Sequence, residues 1–210
     1  MVMQNSSVAA QPRVFDAALR AMFSARKRVF VDLLKWDVPV LAGAYELDQF
    51  DSPDATYLVL TDEEGGHRAS TRLLRTDGPH ILGDLFPMLC SEPIPGRTDY
   101  QEITRFCIEP TLTRNERRIA RNQLVSALVD HALETGLAGY TAVAGPGWYR
   151  QIAAFGWDCR PLGDEQVVGH EMLIALQIDI GPETPSQLES SGIYTPGAYR
   201  IGAGNRELVS

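Results

Sequence analysis

ATYLVLTDEEGGHRASTRLLRT, Ala55 to Thr76, decides how this chain folds. Ala55–Thr61 is an apolar, β-branched run, and Asp62–Gly66 is a turn ending in two glycines. HRASTRLLRT then reads as a second strand, so the stretch is a β-hairpin. Downstream, Tyr100–Ile108 is a strand stopped by Pro110. Asn115–Thr135 is the clearest helix, with Ala120, Leu124, Leu128 and Ala132 on one stripe and Gly136 as its stop. Tyr140–Ala144 reads as a buried strand, Tyr149–Phe155 as a short helix, and His170–Ile180 as a last long strand. Upstream, Phe15, Leu19, Met22, Phe30 and Leu33 mark a helix from Phe15 to Leu34. A long loop follows from Asp37. Leu82–Leu89 is a short helix or turn. Hairpins mixed with helical crossovers predict a three-layer α/β domain on a mixed sheet. No glycine-rich fingerprint follows the first strand, which argues against a dinucleotide fold.

The 210 residues make one domain, with residues 1–12 and 182–210 expected as loosely attached ends. Charged residues are 22% and the net charge is -8, which argues against nucleic acid as a partner. Three cysteines, Cys90, Cys107 and Cys159, form no C-x-x-C pair and suit a reducing cytoplasm. The N-terminus does not read as a signal peptide, and no run has the length of a membrane span. Four histidines occur, none at metal-ligand spacing.

Several polar residues sit where a plain core is expected. Arg26 lies four residues after Met22 and four before Phe30, on their apolar face. Arg72 shares a strand face with Leu74. In YQEITRF, regular alternation sends Glu102 and Arg105 to opposite faces. Both serve one cavity only if a β-bulge resets the strand between them. The acidic stretch YELDQFD holds Glu46, Asp48 and Asp51 between Tyr45, Leu47 and Phe50. Arg26, Arg72 and Arg105 are candidate donors, and Asp48, Asp51 and Glu102 candidate acceptors. Buried charges come in matched sets. Three against three is either structural or suited to a ligand carrying its own ammonium and carboxylate.

These residues, in order and spacing, resemble the acyl-homoserine-lactone synthases, bacterial autoinducer synthases that use S-adenosylmethionine. The likeness runs from about Ala18 to Ile178. It rests on Arg26, Phe30 and Trp36; on the E-x-D-x-x-D loop of Glu46, Asp48 and Asp51; on Arg72 opening R-L-L; on Phe86 before a proline; and on the E-x-x-R-F strand of Glu102, Arg105 and Phe106. The resemblance implies an acetyltransferase-like (GCN5-related) fold, with a mostly antiparallel sheet and a V-shaped cleft between two central strands. It implies S-adenosylmethionine as substrate and no permanently bound cofactor. Asp48 would take the ligand's ammonium or hold an arginine. Arg26 and Arg105 would orient its carboxylate and the charge network, and Phe30 and Trp36 would wall the sulfonium and adenosyl parts. Asp51 would pair with Arg72 and fix the loop, and Phe86 and Phe106 would help bind the substrate. Glu102 would be the base for acyl transfer.

The acyl donor implied is an acyl carrier protein, or coenzyme A in some members. Carrier proteins are acidic, so docking needs a local basic patch. TRNERRIAR offers Arg117, Arg118 and Arg121, with Arg150 beyond. The stretch has no glycine, whereas a coenzyme A pyrophosphate loop is glycine-rich. Thr141 is the candidate hydroxyl facing the acyl chain. The wording GPGWYRQIAAFGWDCRPLG departs from the commoner family pattern and leaves acyl length open. The rival readings are a plain N-acyltransferase and a non-enzymatic acyl-lactone binder.

Overall fold

The computed structural model describes residues 10–94, 96–197 and 199–203. Helix α1, Ala10–Arg26, runs directly into a π-helical turn, Lys27–Leu33. A two-residue hairpin follows, β1 (Val40–Leu41) with β2 (Tyr45–Glu46). Next come β3 (Thr56–Thr61) and β4 (His67–Arg75), which form the hairpin read from the sequence. Helix α2 (Ile81–Leu85), a 3-10 turn (Pro87–Leu89) and β5 (Tyr100–Ile108) lead into α3 (Arg114–Thr135). The chain continues as β6 (Gly139–Ala144), α4 (Pro146–Ala153), β7 (Asp158–Pro161), β8 (Gln166–Val168) and β9 (Glu171–Asp179). It closes with α5 (Thr184–Ser190) and β10 (Arg200–Ala203).

The main sheet has the order β10-β3-β4-β5-β6-β9-β7, with β8 on the other half of β9. Only β5 and β6 are parallel among these pairs, joined by the α3 crossover. Period-two alternation splits the strands between two layers. Leu58, Leu60, Ala69 and Leu73 face α3, in a core that includes Leu124, Leu128 and Leu176. Tyr57, Val59 and Leu74 face α1, against Leu19, Met22 and Phe23. The expected three-layer, mostly antiparallel architecture is therefore present.

The β5–β6 register covers only Tyr100–Ile103 and Gly139–Ala142, while both strands run on. They part beyond Ile103 and Ala142, and that parting is the V-shaped cleft.

Helix α3 has strong ends. Thr113 and Glu116 form a reciprocal capping box, and Gly136 takes the left-handed conformation at φ 73° that only glycine adopts freely. Thr113→Ala should lower stability by about 1 kcal/mol, read as a lower urea midpoint with an unchanged denaturant slope.

The expectation of a loose tail needs correction for residues 182–197 and 199–203. Leu188 and Ile193 are buried in the α3 core. The following segment is strapped across α3: Asn122 donates to the Gly192 carbonyl, Ser126 accepts from Thr195 N–H, and Tyr194 donates to Asp130. Strand β10 then pairs with β3 and covers that sheet edge. Proline, glycine and serine gave the tail a loop-like composition, but a few apolar and tyrosine anchors suffice to hold it. Residues 1–9 and 204–210 of the expected loose ends lie outside the described residues, while Ala10–Pro12 begin α1. The hairpin of β1 and β2 and the short strands β7 and β8 were not expected, being too brief to show alternation. Among the described residues no helix is long and apolar enough to cross a membrane.

Candidate active site

Arg26 ends the regular part of the first helix, and it points inward, as its spacing from Met22 predicts. It is 1% exposed. The π-helical turn that follows buries Phe30. Such turns are frequent at functional sites. Trp36 N–H donates to the Phe30 carbonyl, and the two rings stack at 4.8 Å with an interplanar angle of 22°. The β1–β2 hairpin returns the chain to place Glu46 beside Arg26. In the next loop Asp48 accepts from Phe50 N–H, and Asp51 accepts from Asp48 N–H. Leu47 and Phe50 pack on the α1 side of the sheet. They pin the loop and turn its acids inward, which explains the alternation in YELDQFD.

Strand β5 supplies the rest. Between the register pairs Ser70↔Cys107 and Arg72↔Thr104, β5 spends two residues where β4 spends one. This is a β-bulge, with Arg105 at φ 51°. A non-glycine residue there stores roughly 1–2 kcal/mol of backbone strain. The bulge brings Arg105 round to the side of Glu102 and Thr104, as required for one cavity.

Six charged side chains then close into a ring. Arg26 reaches Glu46 at 2.5 Å and Asp51 at 2.7 Å. Arg72 reaches Asp51 at 2.9 Å and Asp48 at 2.6 Å. Arg105 reaches Asp48 at 2.7 Å and Glu46 at 3.0 Å. Each arginine bridges two carboxylates and each carboxylate bridges two arginines, so charge alternates around the ring and sums to zero. Each guanidinium also lies near an aromatic ring: Arg26 near Phe23, Arg72 near Phe50, and Arg105 near both Phe30 and Trp36. Burial alone would push the Asp51 carboxyl up, but hydrogen bonds and charge from Arg26, with Arg72, hold it well below the usual carboxylate range. The side chains of Arg26, Glu46, Asp51 and Arg72 are at most 1% exposed, against 7% for Asp48 and 9% for Arg105. The Asp48–Arg105 edge is the one that faces outward.

Glu102 stands apart from the ring. Its carboxylate accepts from Ile81 N–H at 2.7 Å and Leu82 N–H at 2.8 Å. The N-cap residue of α2 makes no side-chain cap, so a carboxylate from a distant strand caps that helix. Burial pushes the Glu102 carboxyl up to about 7, against the downward pull of those two N–H groups and Arg72. Thr141 is its register partner on β6, and the buried Thr141 Oγ1 has no hydrogen-bond partner.

The structure brings together Arg26, Asp48, Asp51, Arg72 and Arg105, with Phe30 and Trp36 beside them. Two expectations are corrected, for Arg26 and Phe106. Arg26 does not reach the open part of the site; its guanidinium is sealed between Glu46 and Asp51. Arg72 pairs with Asp51 as expected, and it also holds Asp48 through both ends of its guanidinium. Phe106 lies on the opposite face, against Trp148 and the α3 core, because the bulge turns Arg105 and Phe106 to different sides. Phe86 is half-buried at the end of α2, packed against both the α1 layer and the apolar cluster of Leu82, Leu89 and Ala175. In the basic patch Arg117 and Arg118 are exposed on α3, and Arg150 is exposed on α4. Arg121 instead lies over the Phe155 ring and donates to Asn122. Sequence reasoning missed Thr104, which accepts from Arg72 Nε at 3.0 Å, and Tyr57, which donates to Asp51 at 2.9 Å. Thr104 alternates with Glu102 on β5, the one signal that pointed to it. It also missed the backbone donors of α2.

The mixed sheet, its flanking helices and the parting of β5 from β6 give the chain the fold of the GCN5-related acyltransferases. The same fold occurs in FeeM, an N-acyl amino acid synthase from uncultured soil microbes (TM-score 0.53, 18% identity, covering 90% of this chain and 95% of that one). More particularly, the chain belongs to the autoinducer synthase family, which it matches over residues 11–188. It is 31% identical to an acyl-homoserine-lactone synthase of Ralstonia solanacearum over 185 residues, covering 84% of this chain and 88% of the relative. MesI, a CoA-dependent acyl-homoserine lactone synthase, superposes with a TM-score of 0.78 at 25% identity, covering 90% of this chain and 93% of MesI. BjaI, a second CoA-dependent synthase, solved with SAM and isopentyl-CoA, superposes at 0.77 and 23% identity, covering 91% and 92%.

Proposed function

We propose that the chain transfers an acyl group from a thioester to the α-amine of S-adenosylmethionine, then closes a homoserine lactone and releases methylthioadenosine. The observation that carries this reading is the outward Asp48–Arg105 edge of the charge ring, set beside the Phe30–Trp36 stack. A zwitterionic amino acid inserts there without breaking alternation. Its ammonium meets Asp48 and its carboxylate meets Arg105, so one ion pair is exchanged for two. The sulfonium then lies against the aromatic faces.

The amine arrives protonated and must lose a proton before it attacks the thioester. Glu102, with a carboxyl that titrates near neutrality, takes that proton directly or through a water. The thioester carbonyl becomes a tetrahedral oxyanion. Backbone N–H groups where β5 and β6 part are the donors available to it. Collapse expels the donor thiol and leaves the amide. In the second step the ligand carboxylate attacks its own γ-carbon in line with the C–S bond, and methylthioadenosine leaves with the bonding pair. This step is intramolecular and depends on positioning, which Arg105 supplies. Arg26, Asp51 and Arg72 act behind it as the scaffold of the ring.

We infer an acyl carrier protein as donor. The capping box at the start of α3 already occupies one of the N–H groups that a pyrophosphate would use, and Arg117 and Arg118 are exposed to an acidic partner. Acyl-coenzyme A is the alternative, as in MesI and BjaI. Reversing charge with Arg117→Glu and Arg118→Glu should raise the KM for acyl carrier protein roughly tenfold and leave that for S-adenosylmethionine unchanged. An unaltered KM for carrier protein would place docking elsewhere.

The proposed reaction is tested by incubating the purified chain with S-adenosylmethionine and either acyl donor, with mass spectrometry of the products. Methylthioadenosine and an acyl-homoserine lactone are expected in equal amounts. An acylated amine without methylthioadenosine would make the protein a plain N-acyltransferase.

A further inference from the structure

The segment between β4 and α2 holds a histidine that no step above uses. Helix α2 is a single turn, too short to hold itself in place, yet its first two N–H groups fix the Glu102 carboxylate. His80 immediately precedes them. Its backbone is extended, at φ -152° and ψ 159°, which switches the chain from turn to helix at this residue. Its Nδ1 lies 2.7 Å from the Gly78 carbonyl. A carbonyl only accepts, so the bond to Gly78 is one in which Nδ1 donates, and Nε2 is left to find its own partner. That Nε2 is buried and has no hydrogen-bond partner. The imidazole packs against Gly83, where an added Cβ would come within 2.6 Å of Cε1 and 2.8 Å of Nε2. His80 is thus a wedge. One side is tied to the turn after β4, the other is pressed on the helix that carries the two donors.

We propose that His80 is a positioning residue for Glu102: its imidazole fixes the start of α2 so that Ile81 and Leu82 hold the carboxylate in the orientation that accepts the amine's proton. This rests on the reading of Glu102 as the base. Hydrogen bonds to a carboxylate favour its charged form, so slackening them raises its proton affinity. The charged groups that act on Glu102 are Arg72 from β4 and Asp84 from α2. Asp84 N–H donates to the His80 carbonyl at 3.0 Å, a main-chain bond that a side-chain substitution at His80 leaves in place. Phenylalanine at 80 fills the space without a donor. Asparagine restores a donor within reach of the Gly78 carbonyl. Gly83→Ala displaces the ring while leaving His80 in the chain.

The test compares wild type, His80→Phe, His80→Asn, Gly83→Ala and Glu102→Gln. The readings are kcat against pH at saturating substrates, KM for S-adenosylmethionine, and the Glu102 carboxyl titration by ¹³C NMR, assigned by its loss in Glu102→Gln. In His80→Phe and Gly83→Ala the acid limb and the carboxyl titration should both move up by about one pH unit, with KM unchanged. His80→Asn should return both to wild type. A purely structural role would lower thermal stability and leave both titrations in place, which would overturn the proposal. So would an equal shift in His80→Asn. If Glu102→Gln kept the wild-type profile, the base assignment would fall by itself. The carboxyl titration would still report whether His80 governs Glu102.

Discussion

Arg26→Met should destabilise the protein by about 3–5 kcal/mol, the range for removing one partner from a buried ion pair. The variant leaves Glu46 and Asp51 each with a single arginine, in surroundings where water cannot replace the other. Calorimetry or urea unfolding reads the loss directly. Arg75, which pairs with Asp77 at the surface with its side chain 60% exposed, is the control, and Arg75→Met should leave the midpoint where it is. The pH dependence has a definite sign. Asp51 is depressed in the folded state, so its contribution is present above its unfolded pKa of about 3.9 and is lost as pH falls through the folded value. In Arg26→Met that depression is relieved, so acid unfolding should begin at a higher pH than in wild type.

Glu102→Gln should lower kcat by roughly 10²–10⁴-fold, the contribution of a positioned general base, with little change in KM for S-adenosylmethionine. The acid limb of the wild-type profile should fall near pH 7, because burial holds the Glu102 carboxyl at about that value. The substitution is not silent for folding. A glutamine oxygen can accept from one of the two α2 N–H groups, while its NH₂ faces the other. An unpaired buried N–H costs about 1–3 kcal/mol. Glu102 is raised in the folded state, so its own contribution is full below its unfolded pKa of about 4.3 and is lost as pH rises through about 7. The stability gap between wild type and Glu102→Gln should therefore narrow from pH 5 to pH 8. A variant with near-normal turnover would remove Glu102 as the base.

How far the sequence foretold this depends on the kind of interaction. Strand β5 and helix α3 were legible because alternation and a 3.6-residue stripe are local, and Gly136 marks its own stop. The bulge at Arg105 was legible only as a condition: two charges on one strand had to reach one side. Five members of the ring could be picked out, the arginines as polar residues on apolar faces and Asp48 and Asp51 from the acidic stretch. The third acceptor was read as Glu102, whereas Glu46 closes the ring and Glu102 caps α2. The pairing within the ring could not be picked out, since the partners lie 20 to 59 residues apart and only distances reveal that each bridges two neighbours. Arg26 looked like a ligand contact because sequence gives a residue's type and face but not its depth. The capping of α2 by Glu102 left no trace, because main-chain donors have no letter. The tail was misread because a few buried anchors outweigh a loop-like composition.

The central claim is that a zwitterionic substrate enters the charge ring at its Asp48–Arg105 edge. A crystal structure with S-adenosylmethionine tests it most directly. The account predicts the ammonium on Asp48, the carboxylate on Arg105 and the sulfonium against Phe30 and Trp36, with Arg26, Asp51 and Arg72 unmoved. Ligand density on another face, with the Asp48–Arg105 pair still closed, would contradict it.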